Sequence, residues 1–454
     1  MKYDTSLTWN RLQSDPAALA LVKQYLPEME QMIKDYPNAA RISIAAASRY
    51  APQLFTPEKI DALQAALAEY GKTHGLTPEE QEKLEKYRRM ASEKRPYSGL
   101  GRQPKAVAFY PGRPWPDTGG KRIQTHAGAI YYENGVYYWY GENKEFTDGK
   151  CGIWTWGIRV YRSKDLYNWE DLGLLVAPNL DDPDDNLFPE KCVDRPHILK
   201  CPKTGKYLLW LKISGAESCF TVLQADTLLG PYFVLRQNYH PLGHHVGDFD
   251  MVADEKSGIG YLYMDTDHDR IAGFRLTEDY TAVEAEISSQ YEGLKTPFRR
   301  EGIALFEHGE KKYMITSGMS GYTPNQSDAA VADSWEGPFV SIGDPHVDDE
   351  SMASFNSQIS QVFKLPGREQ YIALADRWMP RHLLDGKGSD IVRRAIASKY
   401  QPDLYSATPE EKKFFSDRPD LERADTQTAD YVWLPVTFAD GKPQIRWHDA
   451  WRLE

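Results

Sequence analysis

The stretch QTHAGAIYYENGVYYWYGENK, Gln124 to Lys144, gathers six tyrosine and tryptophan rings and the imidazole of His126 around an Asn134-Gly135 turn, then runs on through Glu142. A flat ring covers the apolar C–H face of a pyranose, and a carboxylate accepts its hydroxyls, so this mixture suits a sugar. Nearby IWTWGI adds Trp154 and Trp156 as stacking candidates, although tryptophan beside a strand is more often packing. Three further stretches carry acids: VDRPHI with Asp194 and Arg195, GDFDMVADE with Asp248, Asp250 and Asp254, and RREGIALF with Glu301. Taken alone, Asp250 reads as a strand-edge carboxylate, and Glu301 as a surface glutamate beside Arg299 and Arg300.

What must position these groups is legible from about residue 106 onward. There Pro and Gly punctuate short runs rich in Tyr, Val, Ile and Trp, the pattern of many short antiparallel strands. A turn followed by an aromatic strand recurs as GVYYWYGE, GKYLLWLK, GIGYLYMD, KKYMITSG and REQYIALAD, anchored on Tyr137, Tyr207, Tyr261, Tyr313 and Tyr371. Repeats of this period with several strands each predict an all-β propeller of five blades. A sandwich gives short strands without the recurrence. Inner strands of a propeller converge on one funnel, which would collect acids scattered along the chain. Alternation puts Tyr138 and Tyr140 on one strand face and Tyr137 and Trp139 on the other. One set is expected to pack between blades and the other to reach the pocket.

The chain is expected to divide into an N-terminal α-helical accessory segment, 1–105, and the propeller, 106–454. Ser14-Asp15-Pro16 and Thr56-Pro57 read as helix starts, and Thr77-Pro78-Glu79-Glu80 as a capping box. This segment carries no constellation of His, Asp and Glu. Its apolar helical stripes read as a packing surface, a cap or a homo-oligomerisation element, with a lid over the pocket as the sharper alternative.

Composition limits the partners. The net charge is −12 over 454 residues with no basic run, which disfavours nucleic acid and anionic membranes. MKYDTSLTWN has no apolar leader core and no stretch is long enough to span a membrane, so the sequence reads as cytoplasmic. Cys151, Cys192, Cys201 and Cys219 lack CxxC spacing and read as reduced thiols rather than zinc ligands.

Over roughly 106–454 the chain resembles glycoside hydrolase family 43, a family of five-bladed propellers, and within it the exo-β-1,3-galactanase-like branch. Seven stretches in order carry the resemblance: HAGAIYYENGVYYWYGE, DRPHILKCPKTGKYLLWLK, FDMVADEKSGIGYLYMD, REGIALFEHGEKKYMITSGMSGYTPN, SFNSQISQVFKLPG, ALADRWMP and YVWLPVTFADGKPQIRWHDAW. The resemblance implies an O-glycosyl hydrolase in which Glu301 is the general acid. Asp250 matches the acidic position that raises and orients it, with Asp248 and Asp254 close enough to compete for the assignment. Asp194 matches a substrate-contacting Glu, shortened by one methylene. Arg195 beside it reads as a salt-bridge partner or a donor to sugar oxygens. His126 stands where typical members carry an Asp general base, and Gln358 in SFNSQIS matches a Gln that positions water in its place. His126, Glu142, Tyr140 and Trp154 complete the expected substrate contacts.

Departures bear on the substrate. His-Gly-Gly-Gly of the branch is His-Ala-Gly-Ala here, Glu-Ala-Pro-Ala is Glu301-Gly302-Ile303-Ala304, and a polar stretch from about Leu384 to Asp430 is expected to drape over the pocket or a neighbouring subunit. The reading is an inverting exo-glycosidase that removes a terminal galactosyl, arabinofuranosyl or xylosyl residue from oligosaccharides or small glycosides. The alternative is a catalytically weak carbohydrate-binding propeller, favoured by the missing first-blade Asp. Retention would need a carboxylate nucleophile about 5–5.5 Å from the acid. No cofactor or metal is called for, and a structural ion on the propeller axis is compatible with the sequence.

Overall fold

A computed structural model describes residues 3–5, 7–12, 15–35, 40, 44–45, 51–74, 78–92, 99–101, 103–147, 152–215, 218–418, 421 and 425–454. Two compact units result, Met1–Arg95 with Asn179–Phe188, and Pro96–Pro178 with Pro189–Glu454. The division therefore lies nearer residue 95 than 105, and one loop of the propeller sequence joins the helical unit. Arg88 pairs with Asp181 at 2.7 Å and Tyr87 packs on Phe188, which accounts for that loop's allegiance.

The helical unit contains α1 (Trp9–Leu12), α2 (Pro16–Tyr25), α3 (Glu28–Asp35), α4 (Pro57–His74) and α5 (Pro78–Ser92). Asp15 caps α2, accepting from the amides of Ala17 and Ala18 at 3.1 Å each. Val22, Leu26, Met29, Phe55, Leu63 and Leu67 form its apolar centre. Ser14 and Thr77, read above at helix starts, lie outside the described residues. None of the described helices is long and apolar enough to cross a membrane. Cys192, Cys201 and Cys219 are thiols, while Cys151 lies outside the described residues.

The second unit is the expected five-bladed propeller, each blade a four-stranded antiparallel meander. Blade 1 holds β1 (His126–Glu133), β2 (Val136–Glu142), β3 (Ile158–Ser163) and β4 (Glu170–Val176). Blade 2 holds β5 (Cys192–Lys200), β6 (Tyr207–Ser214), β7 (Cys219–Ala225) and β8 (Phe233–Tyr239). Blade 3 runs through β9 (Val246–Ala253), β10 (Gly260–Thr266), β11 (Arg270–Leu276) and β12 (Val283–Gln290). Blade 4 runs through β13 (Arg300–His308), β14 (Lys311–Gly318), β15 (Ser327–Ala332) and β16 (Val340–Gly343). Blade 5 is β17 (Gln358–Lys364), β18 (Tyr371–Arg377), β19 (Asp430–Ala439) and β20 (Lys442–Ile445). All five anchoring tyrosines lie on the second strand of a blade, which is why the repeat was visible.

A blade has two faces, and each meets a neighbouring blade. That corrects the expectation for the aromatic hairpin. Trp139 packs on Trp433, Tyr431 and Trp169, with centroids 4.5, 4.6 and 5.3 Å away. On the opposite face the Tyr140 hydroxyl oxygen accepts from the amide of Ile198 in blade 2 at 2.9 Å. Both faces pack between blades, so Tyr140 is no substrate contact. Funnel residues come instead from the ends of the inner strands. The ring closes where Phe109 and Trp451 exchange backbone hydrogen bonds of 2.8 and 3.1 Å and stack at 4.4 Å.

Candidate active site

The inner strands of blades 1, 2 and 4 share one device. Each breaks register just after its first residues, between His126 and Ala129, Asp194 and His197, and Glu301 and Ala304. The residue after the site position has positive φ: Ala127 at 44°, Arg195 at 46° and Gly302 at 61°. Such bulges re-aim side chains, and here they make His126, Asp194 and Glu301 positional counterparts. The third is a glycine for a steric reason. A Cβ on Gly302 would lie 2.5 Å from Ser317 Oγ and 3.2 Å from Gln358 Cγ. Gly302→Ala is therefore expected to lower activity and to cost about 1–3 kcal/mol of stability. Thermal melts and initial rates check this, and a variant matching wild type in both would refute the crowding argument.

Around Glu301 lies a buried charge network. Asp248 receives Arg195 Nε at 2.7 Å, Lys212 Nζ at 2.8 Å and the Gly302 amide at 3.0 Å. Burial works to raise its pKa, but the two cations and the amide outweigh this and hold Asp248 ionised, well below the usual range. Glu301 moves the other way. Burial first, and then the charge of Asp248, push it up to about 8, against the pull of Lys212 and Arg195. Two carboxylates in one site are thus driven apart, one ionised and one protonated at neutral pH.

Gln358, at the start of β17, completes this centre. Its Nε2 donates to Ser317 Oγ at 3.0 Å and to Glu301 Oε1 at 3.3 Å. The indole N–H of Trp378 donates to its Oε1 at 3.0 Å. An indole nitrogen can only donate, so Trp378 dictates which end of the amide faces Glu301. Trp378→Phe removes that donor and is expected to lower kcat more than it changes KM. Steady-state kinetics check this; equal losses in both, or none, would speak against orientation by Trp378.

Asp194 is half-buried in the same funnel, accepting from Trp154 Nε1 at 2.8 Å and from Ser214 Oγ at 2.5 Å. Trp154 approaches Tyr322 at 5.7 Å, and Tyr322 meets Trp378 edge-on at 5.0 Å. These three rings belong to blades 1, 4 and 5, so they form an aromatic arc across the mouth. Trp156 is buried beside Phe146 and takes no part in it.

Other expected contacts prove to be scaffold. Asp250 is two residues beyond Asp248 on the same strand face. Its oxygens receive the amides of Met251 and Leu305 at 2.7 Å each, and His197 Nδ1 at 3.1 Å. It props β13 against β9, and the residue beside the acid is Asp248. His126 is fully buried, with Nδ1 2.9 Å from Asp376, Nε2 3.2 Å from Gln124 Oε1, and its ring stacked on Tyr431. It therefore locks blade 1 to blade 5 and offers the funnel no polar atom. Glu142 is buried and accepts from Lys144 at 2.7 Å and from the Arg195 amide at 2.9 Å, one bond to each oxygen. It holds Arg195 in its positive-φ conformation. Arg195 took the salt-bridge alternative, spending its guanidinium on Asp248 and the Ile359 carbonyl.

Sequence reasoning missed Lys212, Ser317, Tyr322 and Trp378. Each lies inside a quoted motif, but none has a type or spacing that announces a partner in another blade. Among the described residues no group of three or more His, Cys, Asp or Glu could hold a metal ion.

Residues 124–378 match the glycosyl hydrolases family 43. Solved structures of the expected branch share the fold. A GH43 β-1,3-galactosidase is 25% identical with a TM-score of 0.60, over 76% of this chain and 63% of that one. A second, solved with galactodeoxynojirimycin, is 23% identical with a TM-score of 0.60, over 76% of this chain and 100% of that one. The exo-β-1,3-galactanase of Phanerochaete chrysosporium, solved with β-1,3-galactotriose, is 22% identical with a TM-score of 0.60, over 77% and 69%. The chain thus spans just under two thirds of the first of these. No curated protein matches it.

Proposed function

The chain belongs to glycosyl hydrolases family 43, and from that premise we propose that it is an inverting exo-glycosidase removing a terminal galactosyl residue from β-1,3-linked oligosaccharides or small glycosides. The observation that carries the reading is the divergence of two neighbouring carboxylates, Glu301 protonated and Asp248 ionised. Glycoside hydrolysis needs a proton for the leaving oxygen and an activated water or a nucleophile at the anomeric carbon. Glu301, protonated up to about pH 8, supplies the proton. Asp248 helps keep it protonated, the role that the family resemblance had implied for Asp250.

What surrounds the neighbouring carboxylates supports inversion. Both oxygens of Asp248 are held by Arg195, Lys212 and Gly302. Both of Asp194 are held by Trp154 and Ser214. These contacts fix both carboxylates in place as charge partners and acceptors, which supports water as the nucleophile. Gln358 positions that water through the second lone pair of Oε1, polarised by Trp378, and the proton the water sheds on attack passes to solvent. A sugar takes the place of the Gln358–Glu301 contact while Ser317 and Trp378 keep the amide in place. Asp194 and the arc of Trp154, Tyr322 and Trp378 receive the sugar. The sealing of His126 at the usual base position favours the second reading, a propeller that binds glycans and turns them over weakly.

The test is product release on aryl β-galactoside, α-arabinofuranoside, β-xyloside and β-1,3-galactobiose, followed by proton NMR. A β-galactoside should give α-galactose first. First-formed β-galactose would overturn inversion, and binding without release would select the weak binder. Gln358→Ala is expected to lower kcat about 10²–10⁴-fold; a loss below a few-fold would assign water activation elsewhere.

A further inference from the structure

The family match ends at Trp378, and there the chain departs on an excursion of its own before returning at β19. Because β17 begins and β18 ends at the Gln358 level, this connection leaves from the mouth of the funnel. It is a built element. α6 (Gly386–Tyr400) is capped by Asp385, and α7 (Pro409–Ser416) by a Thr408–Glu411 capping box.

Its anchors run round the mouth. Leu384 and the side chain of Asn356 exchange hydrogen bonds of 2.6 and 2.9 Å, and Arg393 reaches the Met352 carbonyl at 2.9 Å, both on the connection from blade 4 to blade 5. Gln401 reaches the Thr296 carbonyl, before blade 4, at 3.2 Å. At the far end Gln427 binds the Glu145 carbonyl, and Thr426 meets Thr147 at 3.2 Å, on the β2–β3 connection of blade 1. Between these anchors Leu421, Phe414 and Phe415 pack in one cluster with Trp378, Met379, Tyr322 and Ala127. The excursion therefore backs two rings of the aromatic arc. Among the described residues of the propeller, blade 3 has no such cover at the mouth, where Leu242, His245, Asp267 and His268 are exposed.

We infer that this strap is the specificity wall of the site. It closes the funnel from blade 4 through blade 5 to blade 1, admits only a glycan whose terminal sugar is unsubstituted, and leaves the rest of the glycan to exit over blade 3. The inference rests on the carbohydrate reading above and deepens it.

The experiment uses the full chain carrying Glu301→Gln, so that ligands bind without turnover. Its binding to free-ended β-linked galacto-oligosaccharides, and to the same compounds capped on the terminal sugar, is compared with that of a chain whose residues 386–418 are replaced by a Gly-Ser link. A double variant, Phe414→Ala with Phe415→Ala, keeps the strap and serves where the shortened chain does not fold. Capping should weaken binding to the parent on the order of 100-fold, and to the strap variants less than about tenfold. His268→Trp, on the open side, should weaken a trisaccharide more than galactose. Free-ended glycans bound with the capping penalty unchanged in a folded strap variant would overturn the wall alone. No glycan bound by any folded variant would overturn the carbohydrate reading, and the wall with it.

Discussion

Glu301→Gln is expected to lower hydrolysis of β-1,3-galactobiose about 10²–10⁴-fold, the usual contribution of a general acid, with folding and sugar affinity close to wild type. The reason lies in the charge balance. Burial and Asp248 keep Glu301 protonated up to about pH 8, so at neutral pH a glutamine amide replaces a neutral carboxyl of similar shape. Arg195 and Lys212 stay paired with Asp248, and no buried charge is stranded. What disappears is the transferable proton. The loss should therefore be largest for sugar leaving groups, which depart poorly as alkoxides, and smaller for aryl glycosides with acidic phenols. Rates on galactobiose and on a nitrophenyl galactoside, with melting temperature and galactose affinity measured alongside, check the whole pattern. Turnover of galactobiose within a few-fold of wild type would remove Glu301 from the reaction.

Asp248→Asn is expected to shift the pH profile as well as lower the rate. A general acid works while protonated, so kcat/KM should hold below the pKa of Glu301 and fall as pH rises through about 8. The negative charge of Asp248 helps raise that pKa. Its removal lowers the pKa and moves the basic limb toward acid pH. The same change strands Arg195 and Lys212, buried cations that lose their common partner, at a stability cost of about 3–5 kcal/mol. Asp250→Asn supplies the contrast. Asp250 faces His197 and two amides, so its loss should lower stability and leave the basic limb in place. A limb that moves with Asp250 and not with Asp248 would return the role to the residue first read from the sequence.

That exchange shows where the sequence stops informing. GDFDMVADE offers two aspartates on one face of one strand, and alternation cannot rank them. Only the cross-strand neighbours differ. Asp248 meets Arg195 and Lys212 from blade 2, whereas Asp250 meets the Leu305 amide of blade 4. Glu301 and Gln358 were singled out only through the family resemblance, carried by stretches that keep their order along the chain; alone, Glu301 read as a surface glutamate. Tyr140 misled because an aromatic hairpin suits a sugar pocket as well as it suits a joint between blades. The strap was recognisable as a polar insertion. That it backs Trp378 and Tyr322 was not, because Phe414 and Phe415 are ordinary residues of a short amphipathic helix.

The sequence by itself determined the architecture. Five recurrences of a turn and an aromatic strand admit little other than five blades, since each unit buries its faces only against its neighbours. It also determined which acid stands at the start of the fourth inner strand. The tertiary structure alone decided protonation and access. The pKa of Glu301, the ionisation of Asp248, the sealing of His126 and the aim of Gln358 arise from groups tens to hundreds of residues apart, which only the fold gathers in a buried site where electrostatic effects are strongest.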